Sequence, residues 1–241
     1  MLKRKDVLPR VRSQDKAVGF YIEYIEPILW NDAAYSQLVY DEQQKDLILS
    51  FVQHHNFDKH TSAAATSAAA SVSSNHTLAP VKDANISKGQ GLVVLLSGPP
   101  GTGKTLMAKA VADRTRRPLV YLQAEDLGTH ADELGPRLRR CLTMPTDWNA
   151  TVLLDEADVF MAERDPSNIL RNELVSIFLR ELASFRGILF LRTNLSRSIE
   201  PAFRRRVSLH LLFGPLTREA REHLWRNFLG GLAPPVSGAD H

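Results

Sequence analysis

Cysteine is nearly absent: Cys141 is the single thiol among 241 residues. That excludes an intrachain disulfide and any metal site built on clustered thiolates. It suits a reducing, intracellular compartment, cytoplasm or nucleus ahead of mitochondrion. Long apolar runs are missing as well. No stretch approaches the roughly 20 residues that span a bilayer. The basic N-terminus, MLKRKDVLPRVR, lacks the apolar segment of a secretory signal. The Asn-x-Ser/Thr matches at Asn75, Asn85, Asn149 and Asn194 then carry no meaning as glycan acceptors. A dominant charge sign is also lacking. Thirty Lys and Arg face 27 Asp and Glu, a net charge of +3, too balanced for the electrostatic footprint of nucleic-acid binding.

What is present fits one globular α/β domain with flanks: 44% of residues are hydrophobic and 24% charged. The densest signal is residues 91–105, GLVVLLSGPPGTGKT. Leu92, Val93, Val94, Leu95 and Leu96 form an unbroken apolar run, the pattern of a strand buried on both faces of a parallel sheet. It leads into Gly98, Pro99, Pro100, Gly101, Thr102, Gly103, Lys104 and Thr105, which fit G-x-x-x-x-G-K-[ST] at every fixed position. Leu106 then opens LMAKAVA, rich in helix formers. Strand, glycine-rich loop and helix are the context this motif requires.

The residue types match a triphosphate. Glycines let the backbone curl and aim successive N–H groups at phosphate oxygens. The first turn of the following helix adds unpaired N–H groups and the positive end of its dipole. Lys104 brings an ammonium to the β- and γ-phosphates, and the Thr105 hydroxyl can coordinate Mg²⁺. No N-K-x-D tetrad occurs, so a guanine-reading site is excluded.

Further strands are expected at 118–122, 151–154, 188–191 and 207–213, alternating with helices at 132–142 and 168–185. That alternation predicts a parallel five-stranded sheet with right-handed crossovers and ligands at the strand C-terminal ends. Earlier in the chain Asp41 reads as an N-cap, and Leu47, Ile48, Phe51 and Val52 as one helix face. His54, His55 and His60 read as solvated helix-end histidines. The segment 61–79 is of low complexity and reads as a mobile insertion. The expected organisation is a flank at 1–34, an N-terminal helix at 35–60, an insertion at 61–88, a core at 89–213, and a lid helix with tail at 214–241.

Three further groups can carry chemistry. Asp155 and Glu156 directly follow the strand TVLL. Asp155 can hold Mg²⁺, and Glu156 can accept a proton from an attacking water; the alternative is a solvated acidic turn. Asn194 ends ILFLRT, where an amide can hold water or the γ-phosphate or can simply form a turn. Arg204, Arg205 and Arg206 are consecutive, either a solvated basic patch or the source of an arginine finger.

Together GPPGTGKT, VLLDEAD, the TN after the fourth strand and EPAFRRRV resemble the AAA-type ATPase module. The closer resemblance is to a group of fungal AAA ATPases, through ILWNDAAYSQLVYDEQQKDLI, GLVVLLSGPPGTGKTLMAKAVA, TVLLDEADVFMAERD, RNELVSIFLREL, GILFLRTN and LWRNFL. The resemblance implies a P-loop NTPase fold of three αβα layers, with a helical lid of which one helix, 217–229, is visible. It makes residues 98–105 the Walker A loop, Asp155 and Glu156 Walker B, Asn194 sensor 1, and Arg206 the finger, with Arg205 as runner-up. It implies ATP and Mg²⁺, a hexameric homo-oligomer, and hydrolysis that drives remodelling of a protein partner. The alternative is a nucleotide-binding assembly subunit with little turnover. The chain departs from the pattern at Arg192, where Thr is usual, and at Arg205, where Ser is usual. The segment AEDLGTHADE lacks the family's aromatic-apolar-Gly pore signature.

Overall fold

A computed structural model describes residues 28–55, 91–128, 130–195 and 199–230. Residues 1–27, His60 and the low-complexity segment 61–79 lie outside them. Two helices come first, α1 (Asp32–Ser36) and α2 (Glu42–His54), each opened by a side-chain cap. Asn31 accepts from the Ala34 N–H, and Asp41 from the Gln44 N–H, satisfying donors that the first turn leaves orphaned. β1 (Leu92–Ser97), α3 (Lys104–Arg114), β2 (Leu119–Gln123) and the short α4 (Ala124–Leu127) follow. Next come α5 (Ala131–Asp147), β3 (Thr151–Asp155), the short α6 (Asp158–Met161) and α7 (Ile169–Ser184). The order closes with β4 (Ile188–Thr193), the short α8 (Pro201–Arg204), β5 (Leu209–Leu212) and α9 (Arg218–Gly230).

The five strands form one parallel sheet in the order β2-β3-β4-β1-β5. β1 and β3 are buried at every position, which is why their sequences read as unbroken apolar runs. Alternation divides the core. Leu92, Val94, Leu96, Leu153, Ile188 and Phe190 pack with Ile48 and Val52 of α2 and Met107 and Val111 of α3. Val93, Leu95, Val152, Leu154, Leu189 and Leu191 pack with α4 to α8. Each fully buried aliphatic or aromatic side chain contributes about 1.5–3 kcal/mol. The result is the expected α/β fold of three layers. Phe160 stacks on Phe178 at 5.0 Å and Phe178 meets Phe203 at 5.7 Å, tying α6, α7 and α8 together.

Some local expectations shift. Of the four residues expected on one face of α2, Ile48 and Val52 are fully buried, while Leu47 and Phe51 stay 44% and 37% exposed. The third inward position is Lys45, whose ammonium reaches Glu42 and the Leu38 carbonyl and lies over the Tyr35 ring. α5 runs past residue 142 to Asp147, through Pro145. The helix expected at 168–185 runs from Ile169 to Ser184 as α7 with Phe185 as its cap, and Leu170 in its first turn is exposed. Gly187, just before β4, is required for space: a Cβ there would lie 2.6 Å from the Phe185 ring and 2.8 Å from the Thr146 hydroxyl. His54 and His55 meet the carbonyls of Ser50 and Arg186.

Candidate functional site

The loop after β1 is shaped by glycine. Gly98 has φ +136°, and a Cβ there would fall 2.1 Å from the Phe213 carbonyl oxygen, so close approach excludes any other residue. Gly101 and Gly103, at φ +75° and +93°, have open space around them; there the left-handed backbone alone makes the demand. Gly103 caps α3 and has no side chain to occupy the first amides of that helix. Inside the loop the buried Lys104 ammonium donates to the Gly98 carbonyl at 2.7 Å and to the Pro99 carbonyl. The Thr102 hydroxyl donates to the same Pro99 oxygen at 2.9 Å. Pro99, Pro100 and Gly101 are exposed, Thr105 half-buried and Leu106 44% exposed. Burial, then the Arg192 charge, lower the Lys104 pKa, with Asp155 and Asp158 acting in opposition.

Register lines up a second row at the same sheet edge. Gln123 pairs with Asp155, Leu96 with Arg192, and Ser97 with Thr193. Tyr121, Asp155 and Arg192 share the parity of Leu119, Leu153 and Phe190, so they point to the α3 face. There Asp155, 6% exposed, is held from three sides. Its Oδ1 accepts from Arg192 Nη1 at 2.8 Å and from the Glu156 N–H at 2.8 Å, and its Oδ2 accepts from the Tyr121 hydroxyl at 2.8 Å. Arg192 Nη1 also lies 3.6 Å from Glu156 Oε1.

Glu156 has φ +56°, a left-handed backbone that costs a non-glycine residue about 1–3 kcal/mol. That turn frees its carboxylate from the sheet. With Asn194, Asp158 and Glu125 it lines a cleft of about 380 Å³. Asn194 is positioned through its backbone: its N–H and the Thr193 hydroxyl both donate to Asp158 Oδ1. The structure therefore gathers Lys104, Asp155, Glu156 and Asn194 at the C-terminal edge of the sheet.

Arg205 and Arg206 are not gathered there. They sit in the exposed turn after α8, where Arg206 Nη1 donates to the Ala202 carbonyl at 3.2 Å. Among the described residues no hydrogen bond or ion pair joins either to Lys104, Asp155, Glu156 or Asn194. Sequence reasoning did not foresee the contacts that three residues make here. Asp158 was visible as the last carboxylate of LLDEAD. Tyr121 gave no signal beyond its place in a strand. Arg192 was visible as an unusual charge, but its partner was not.

Comparison with known proteins points the same way. Residues 94–215 match the family described as "ATPase family associated with various cellular activities (AAA)". The chain is 32% identical over 152 residues to "ATPase family AAA domain-containing protein FIGL1" of Arabidopsis thaliana, covering 59% of this chain and 22% of that protein. It is 29% identical over 154 residues to "ATPase family AAA domain-containing protein 3B" of Homo sapiens, covering 59% and 23%. Against "Spastin" of Danio rerio it is 29% identical over 153 residues, covering 60% and 27%. The matches therefore span less than a third of each relative's length.

Proposed function

This chain belongs to the AAA family of ATPases, and from that premise we propose that it binds ATP on residues 98–105 and hydrolyses it to ADP and phosphate. The observation that carries the reading is the convergence of Lys104, Asp155, Glu156 and Asn194 on one edge of the sheet. The open N-terminus of α3 and the Lys104 ammonium receive the phosphates. The Thr105 hydroxyl and the Asp155 carboxylate are hard oxygen donors that fit Mg²⁺, an ion held by few protein ligands plus substrate phosphates. Mg²⁺ bound there supplies charge neutralisation between the phosphates. Glu156 takes the proton of the attacking water, and the Asn194 amide orients that water.

Arg206, with Arg205 as the alternative, serves the nucleotide of an adjacent copy in a ring, hexameric by family resemblance. Its place in an exposed turn, outside its own site, supports that assignment. Residues 89–213 form the ATPase core, 35–60 an N-terminal helix of the same module, 61–88 a low-complexity insertion, 1–34 a flank and 214–241 a partial lid helix and tail. Hydrolysis drives remodelling of a protein partner. Membership of a fungal group of these ATPases rests on the stretches flanking the motifs. Among the described residues no helix is long and apolar enough to cross a membrane.

The test compares ATP binding and hydrolysis in wild type and Glu156→Gln. The amide keeps shape but cannot accept the proton, so turnover should fall by roughly 10²–10⁴-fold while ATP stays bound. A folded wild type that binds no ATP refutes the reading. A second reading, a nucleotide-binding subunit with little turnover, is favoured by one observation: Asp155 is already engaged by Arg192. Equal, negligible turnover in wild type and Glu156→Gln, with ATP bound by both, would select it.

A further inference from the structure

Arg192 does more than add a charge near the turn after β4. It lies on β4 one position past the Leu154–Leu191 pair, so it faces Asp155 directly across the β3–β4 ladder. Both side chains are shielded, Arg192 at 15% exposure and Asp155 at 8%. One guanidinium nitrogen, Nη1, serves both Asp155 Oδ1 and the Glu156 carboxylate. Its Nε is buried without a hydrogen-bond partner among the described residues. A carboxylate offers about four acceptor positions. Three at Asp155 are filled, by Arg192, the Glu156 N–H and the Tyr121 hydroxyl. A guanidinium cannot lose its proton in a protein, so the charge is permanent.

We propose that Arg192 is a resident counter-cation for the Asp155–Glu156 pair and competes with the divalent cation for Asp155, so that nucleotide binding needs little divalent metal. The inference rests on the ATP-binding reading above. Two carboxylates beside the phosphate loop repel a polyanionic nucleotide, and the repulsion is stronger from the shielded Asp155 than from the 57% exposed Glu156. A divalent cation normally cancels it. Arg192 cancels part of it in advance. The same contact weakens the claim of a metal on Asp155, because a metal must displace a charge-assisted hydrogen bond.

The experiment measures ATP affinity by calorimetry, with Mg²⁺ and with EDTA, in wild type, Arg192→Thr and Arg192→Lys. Thermal unfolding checks that each variant is folded, and the lysine variant keeps a cation should threonine not fold. Wild-type affinity should change less than about tenfold between Mg²⁺ and EDTA, whereas Arg192→Thr should lose about 10–100-fold without metal and recover with it. Arg192→Lys should fall between them. A second readout needs no nucleotide: Mn²⁺ titration followed by electron paramagnetic resonance should show tighter metal binding in Arg192→Thr than in wild type. Equal dependence on Mg²⁺ in wild type and variants, with ATP bound normally, overturns this inference alone. Absence of ATP binding in the folded wild type under both conditions overturns it together with the proposed function.

Discussion

Two of the arginine–carboxylate pairs among the described residues, Arg139–Glu181 and Arg192–Asp155, are built differently. Between α5 and α7, Arg139 grips Glu181 with both edges of its fork, Nε to Oε2 at 3.0 Å and Nη2 to Oε1 at 2.8 Å. The carboxylate is 2% exposed and the arginine 66%. The Arg139 hydrogen bonds hold the Glu181 carboxyl below its usual range, against the opposing pull of burial. That pair is closed: Arg139 matches both carboxylate oxygens, Arg180 Nε adds a second cation 3.5 Å from Oε1, and both arginines keep their water. The Arg192–Asp155 pair is open. It uses one nitrogen, leaves another buried and idle, and shares its charge with Glu156. Two parallel bonds fix geometry and stability, whereas one bond with spare capacity stores an unmet demand. The closed pair ties α5 to α7, and the open one lies beside the loop that holds Lys104.

The strongest way to sharpen that contrast is Lys104→Ala. The substitution removes the ammonium that the loop folds around, and charge-assisted contacts to phosphate are each worth about 1.5–3 kcal/mol. ATP affinity should fall by roughly 10²-fold or more. Calorimetry well below the melting temperature separates that loss from unfolding of the domain. Unchanged affinity would remove the phosphate loop from the site.

Glu181→Gln attacks the other side of the contrast. The amide turns an N–H group toward Arg139 in place of one matched oxygen, leaving the buried end of the pair unsatisfied. The expected cost is about 1–3 kcal/mol, and each kcal/mol lowers the melting temperature of a domain this size by roughly 2–4 °C. ATP affinity should not move. A variant that melts like wild type but binds ATP poorly would reverse the two roles.

Much of this was legible in the sequence, and the gaps have a common cause. β1, β3 and β4 are buried along nearly all their length, so their apolar runs mark them unmistakably. β5 is partly exposed, and its edges were read two residues wide at the start and one at the end. The phosphate loop is contiguous, so its residue types and spacing carry the whole message. The contacts of Asp155 are not contiguous. They depend on which residues the β2–β3 and β3–β4 registers place side by side, and no single segment contains that information. Lys45 was hidden because an inward lysine breaks the apolar pattern that marks a helix face. Its burial follows only once Glu42, Tyr35 and the Leu38 carbonyl surround it.

The smallest expected effect lies at the join between sheet and loop. His210 on β5 meets the Ser97 hydroxyl at 2.7 Å, immediately before Gly98. Burial first, and then the charge of Arg204, lower the His210 pKa; burial lowers His55 too. A histidine whose folded pKa lies below its unfolded value of about 6.5 binds fewer protons when folded. Its contribution to stability is therefore present above about pH 6.5 and is lost as the pH falls through that value. The Arg139–Glu181 pair does not respond in this window, because Glu181 titrates below the usual carboxylate range and arginine stays charged. Acidification from about pH 7.5 to 5.5 should thus lower the melting temperature through the histidines and leave the closed pair intact. His210→Gln should flatten part of that slope, because glutamine keeps a polar partner for Ser97 but has no proton to gain. Parallel melting curves of wild type and His210→Gln across this range would show that His210 carries none of the dependence. A slope made steeper by the substitution would mean that the charged form of His210 is the one the fold prefers.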